Sequence, residues 1–140
     1  MKNTIPFFTT MLLILGGIQY STAQFTVNNS LTPAQMAQLL VANNSVTVSN
    51  ATMNCPSNAG GTFTCATCHL GLSAGVVLTT GNDSLIAGPN NTPNVGRNNG
   101  AAGDSDIGTG SRDACSLEFD VLVSGNSIQL DYVFGSEEYP

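Results

Sequence analysis

The sequence predicts a mostly β protein: an antiparallel β-sandwich, jelly-roll-like, with one short N-terminal helix. Three observations carry this. Apolar residues stand at every second position over residues 115–123 and 128–134, with Ser116, Glu118, Asp120, Gln129 and Asp131 between them, the period of a strand with one face covered. The chain holds 15 Gly and many Asn, Ser and Thr, the residues of turns and short connections. Only one stretch, residues 33–41, repeats at helical spacing.

Charge narrows the functional classes before any motif is read. Of 140 residues only 9% are charged, with 3 basic against 9 acidic and a net charge of −6, where a soluble domain ordinarily has about a quarter charged. Phosphate backbones and anionic lipid surfaces would be repelled, which excludes nucleic-acid partners. Hydrophobic residues make up 41% of the chain, too many for a disordered, self-repelling polymer.

The first residues address the chain rather than fold it. Lys2 gives a positive start, Ile5 to Ile18 is almost continuously apolar, and Ser21-Thr22-Ala23 places small residues before Gln24. Residues 1–23 therefore read as a secretory signal peptide. The apolar run is shorter than the roughly 20 residues a bilayer span requires. The expected product is secreted or displayed at the cell surface and does not span the membrane after cleavage. Its domain is expected to run from residue 24 to 140, incomplete at the C-terminus, because the sequence stops at Glu137-Glu138-Tyr139-Pro140 directly after a patterned strand.

Element by element, Thr32 is an N-cap with Pro33 at the first helical position. Met36, Leu39 and Leu40 then form one apolar stripe before Asn43-Asn44. Residues 45–49 alternate as a strand. The β-branched run 71–81, bracketed by glycines, suits a buried strand. Residues 82–112 are a long polar loop, a place where function concentrates. Cys115, Leu117, Phe119, Val121 and Val123 share one face of a strand. Ser124-Gly125-Asn126-Ser127 is a hairpin turn, and Ile128, Leu130, Tyr132 and Phe134 form the inward face of the returning strand.

Cys65-Ala66-Thr67-Cys68-His69 matches the c-type haem attachment signature, a cofactor reading in which Cys65 and Cys68 hold the haem and His69 ligates it. Against it stand the neighbouring strand pattern and the absence of a second His. Four cysteines in an exported chain favour two disulfides among Cys55, Cys65, Cys68 and Cys115, with three pairings open. On a strand, Cys65 and Cys68 would point to opposite faces, so they are expected to take different partners. A zinc site suits a reducing compartment better.

No Asp, Glu, Lys or Arg occurs between Gln24 and Asn82; all nine carboxylates follow. Asp104, Asp106 and Asp113 lie on a Gly-flanked loop, and Glu137 and Glu138 could approach from a strand end. Hard oxygens on flexible backbone make calcium the expected cation. A glycosidase pair drawn from Glu118, Glu137 or Glu138 is the rival enzyme reading, but the chain has no Trp and no aromatic groove to hold sugar.

The segment Leu70-Gly71-Leu72-Ser73-Ala74-Gly75-Val76-Val77-Leu78-Thr79-Thr80-Gly81 joins Gly103-Asp104-Ser105-Asp106, Leu117-Glu118-Phe119-Asp120 and Tyr132-Val133-Phe134-Gly135-Ser136-Glu137-Glu138-Tyr139-Pro140 in a pattern that resembles the choice-of-anchor L domain. That family occurs on exported bacterial surface proteins and is named for its varied C-terminal anchoring signals. The family's last motif continues into a segment around Asn-Asp-Val-Phe-Gly-Phe, missing here. Gln24 after the cleavage site is similar to exported proteins of Bacteroidetes. The resemblance implies a surface location and supplies no catalytic residues. The expected function is a non-catalytic module that contacts an extracellular protein or glycan in adhesion, with calcium as a possible requirement.

Overall fold

The computed structural model describes residues 25–41, 46–88 and 95–136. The expected signal peptide, Glu137 and Glu138 lie outside the described residues. Two antiparallel sheets and one short helix make up a small β-sandwich-like fold. Strands β1 (Phe25–Asn28), β3 (Gly60–Cys65) and β4 (Ala74–Leu78) form one sheet in the order β1-β3-β4; β2 (Val46–Asn54) and β5 (Ser116–Val123) form the other.

β3 is the centre of the first sheet, paired with β1 on one side and β4 on the other. That position, rather than apolar content, buries it: Thr62, Phe63 and Cys65 are 7%, 8% and 3% exposed. Its glycines make room for neighbours. A Cβ on Gly61 would lie 2.8 Å from the Asn28 carbonyl oxygen, and one on Gly75, opposite Phe63, would press on that ring at 3.1 Å. Phe63 also stacks on Phe25 with centroids 5.2 Å apart. Thr26 and Thr64, directly paired, share a 2.6 Å hydroxyl hydrogen bond, a cross-strand pair of the kind that sets register.

The helix α1 (Pro33–Leu40) starts where local chemistry places it. The Thr32 hydroxyl accepts from the Gln35 backbone N–H while the Gln35 side chain accepts from the Thr32 N–H, a complete capping box. Its buried face differs from the expected stripe. Met36 and Ala37 are fully buried, whereas Leu39 and Leu40 are 44% and 37% exposed. The helix packs against β2, β4 and β5.

β2 is longer than the expected strand and carries an irregularity between Ser49 and Thr52, where Asn50 takes a left-handed φ of 53°. Asn tolerates that conformation, and its amide donates to the Asp120 carboxylate across the sheet at 2.6 Å. β5 keeps the expected alternation, with Leu117 and Phe119 half-buried and Glu118 and Asp120 exposed. Its ladder partner, however, is β2. The expected hairpin to residues 128–134 is not formed: that segment runs without a ladder, and Ile128, Leu130, Tyr132 and Phe134 are 64–84% exposed. An alternating face enters a core only where a second layer meets it, and among the described residues no element covers this one. β4 likewise is an edge strand, half-buried rather than buried as expected.

The cysteines pair as Cys55–Cys115 and Cys65–Cys68, with no free thiol. The first bond joins the end of β2 to the start of β5, and Gly60 of β3 packs against both sulfurs. The second corrects the expectation of different partners for Cys65 and Cys68. β3 ends at Cys65, so Cys68 lies in the following turn, where opposite-face geometry no longer applies.

Candidate functional site

The long polar loop is built by side chains that grip backbone. After β4 the Thr79 N–H donates to the Ala59 carbonyl at 2.8 Å, and the Asp83 N–H to the Asn58 carbonyl at 2.8 Å. Asn82 caps the short 3-10 helix Asp83–Ala87, its Oδ1 accepting from the Ser84 N–H and hydroxyl. Asp83 itself is 2% exposed and accepts from the Asn29 amide at 2.6 Å, which ties this helix to the segment after β1.

Asp113 organises the other side. It is 7% exposed with a left-handed φ of 52°. One carboxylate oxygen accepts from the Ala101 N–H at 2.6 Å and the other from the Asn99 N–H at 2.9 Å. Asn99 in turn donates through its amide to the Thr80 and Gly81 carbonyls at 3.1 and 2.9 Å. Residues 101–102 and 112–114 close into a short antiparallel bridge between Ala102 and Arg112. Ser111 secures the turn inside it, donating to backbone carbonyls and accepting from the Asp104 N–H. Gly103 is required there, because a Cβ would strike the Ser111 backbone.

This frame borders a cleft of about 750 Å³. Thr79, Thr80 and Asn82 line it from the β4 side, Arg97, Asn98 and Arg112 from the loop, and Val133 and Phe134 from the exposed C-terminal segment. A smaller depression of about 440 Å³ beside Thr26, Thr64 and Ser73 has no charged residue in its lining.

Asp104, Asp106 and Asp113 of the expected cation site lie within the described loop. Asp104 accepts from the Asp106 N–H at 2.9 Å, Asp106 is exposed, and Asp113 has both oxygens engaged by backbone donors. Among the described residues no three His, Cys, Asp or Glu gather in a set that would hold a metal ion; Glu137 and Glu138 lie outside the described residues. Glu118 stands on the exposed face of β5, away from the cleft lining. Cys65 and Cys68 are bonded to each other, so neither thiol is available for a haem thioether, and His69 is exposed in the turn after them. Among the described residues no helix is long and apolar enough to cross a membrane.

The cleft was not foreseen from sequence. Arg97 and Arg112 are the only basic residues after Lys2, a signal that two positive groups in an acidic chain share a place, but nothing local says that they meet. A comparison with family models matches residues 25–140 to the choice-of-anchor L domain. Neither the curated proteins nor the solved structures gave a match.

Proposed function

Because the chain belongs to the choice-of-anchor L domain family, a family of surface modules, we propose that it is a non-catalytic module, exported and displayed outside the cell, that makes adhesive contact with an extracellular protein or glycan. The observation that carries this reading is the exposed segment 128–134 beside an open cleft. Among the described residues nothing covers this row of large apolar side chains, a surface of the kind that meets a partner. Catalysis by carboxylates would need two of them held across a substrate, and Glu118 and Asp120 share one exposed face of β5, away from the cleft lining. Net charge of −6 argues against a nucleic-acid partner.

The test is adhesion of beads coated with the oxidised protein to extracellular polysaccharide and to matrix protein surfaces. The proposal expects retention that falls when Leu130→Ser and Tyr132→Ser are combined, with no turnover of any glycan. Retention equal to that of uncoated beads on every surface would overturn it, as would hydrolysis that stops in Glu118→Gln. Export is read independently from the N-terminus of the mature protein, expected at Gln24.

A further inference from the structure

We propose that the cleft between the β4 end, the Asp113-held loop and Phe134 binds the acidic sugar units of a polysaccharide, with Arg97 and Arg112 receiving their carboxylates. The proposal rests on the reading of the chain as an extracellular contact module and names the ligand that the module takes.

The first argument is charge. The chain carries nine carboxylates and, after Lys2, two arginines. Both arginines line one cleft. Neither side chain has a hydrogen-bond or ion-pair partner among the described residues. Asp113, in the same lining, has its oxygens taken by the Asn99 and Ala101 N–H groups. In a protein of net charge −6 the cleft is thus a local patch of the opposite sign. Guanidinium groups recognise carboxylates through paired, charge-assisted hydrogen bonds.

The second argument is the remaining lining. Thr79 and Thr80 contribute hydroxyls, and Asn82 and Asn98 contribute amide N–H donors while their oxygens accept from Ser84 and Gly100, donors that suit the many hydroxyls of a sugar ring. Phe134 is 84% exposed and offers a ring on which the apolar face of a pyranose can rest. A volume near 750 Å³ falls within the roughly 300–1,000 Å³ of small-ligand sites.

A peptide fits less well. Extended peptides bind by adding a strand to a free sheet edge. β4 has such an edge, yet Leu78 is its only residue in the cleft lining. The arginines therefore do not face a peptide laid along the strand.

The third argument is preorganisation. Asn99, Asp113 and the Ala102–Arg112 bridge hold the loop against Thr80 and Gly81 without a ligand, so less ordering remains to be done on binding.

The experiment is calorimetric titration of the full oxidised chain with a galacturonic acid tetramer, its neutral methyl ester, and a glutamate hexapeptide. The acid tetramer should bind, and the ester should bind at least about tenfold more weakly, as should the acid tetramer to Arg97→Gln and to Arg112→Gln. Raised salt should weaken the acid tetramer selectively. Equal binding of acid and ester, no binding of the acid, or tighter binding of the hexapeptide would each overturn the proposal. The ester comparison uses unaltered protein and so decides the matter even where a variant misfolds. Beads that adhere to extracellular surfaces while the tetramer fails to bind would sink this inference and leave the contact reading standing; loss of both would sink both.

Discussion

β3 and the segment 128–134 invert what their compositions suggest. β3 begins Gly60-Gly61-Thr62, hardly a hydrophobic run, yet it is buried between two strands. Residues 128–134 alternate Ile, Leu, Tyr and Phe with Gln129, Asp131 and Val133 and stand in solvent. Hydrophobic period states which face a strand would bury. Whether it is buried depends on neighbours, and β3 has two while 128–134 has none among the described residues. Burial by position needs small residues that let other chains close in; exposure of a patterned strand leaves a surface for contact.

The largest expected effect concerns the bond that ties β2 to β5 beside Gly60 of β3. Cys55 and Cys115 are 60 residues apart and Cys65 and Cys68 are 3 apart, so loop entropy assigns about 4 kcal/mol to the first bond and about 2 kcal/mol to the second. Urea unfolding of Cys55→Ala/Cys115→Ala against Cys65→Ala/Cys68→Ala should reproduce that order. The reverse order would mean that closing the chain between β2 and β5 is not what the longer bond contributes.

Next, Gly61→Ala should destabilise by about 2 kcal/mol, because its Cβ meets the Asn28 backbone rather than a yielding side chain. Leu130→Ser, at 64% exposure, should change stability by less than about 0.5 kcal/mol. A glycine that matters more than a leucine is the comparison in its sharpest form, and denaturation midpoints of the two variants decide it.

Asp113→Ala should cost about 1–2 kcal/mol, since it strands the Asn99 and Ala101 N–H groups and places Ala at a left-handed φ. It should also loosen residues 95–113 in hydrogen exchange while β3 stays protected. The smallest effect is calcium. With Asp113 engaged by backbone, the melting temperature should be the same in calcium and in chelator. A rise in calcium that disappears in Asp104→Ala/Asp106→Ala would support the five-residue site expected from the acidic loop.

What could be read from sequence was what local chemistry determines. Thr32 and Pro33 mark the helix start because capping involves only adjacent residues. β5 was legible from its alternation. β1 and β3 were not, since the glycines and threonines of β3 are buried by sheet position. Cys65 and Cys68 misled because the opposite-face rule assumes a strand that in fact ends at Cys65. The cleft was beyond reach: Arg97 and Arg112 stand far apart in an aperiodic loop, and the hydrogen bonds of Asn99 and Asp113 that join their surroundings leave no periodic trace.

The most direct test is amide hydrogen exchange across the full oxidised chain, read segment by segment. Residues 60–65 should be the slowest to exchange, and residues 128–134 should exchange near the rate of an unstructured peptide. Protection of 128–134 equal to that of β3 would place this segment in a sheet, remove the exposed contact surface and contradict the account.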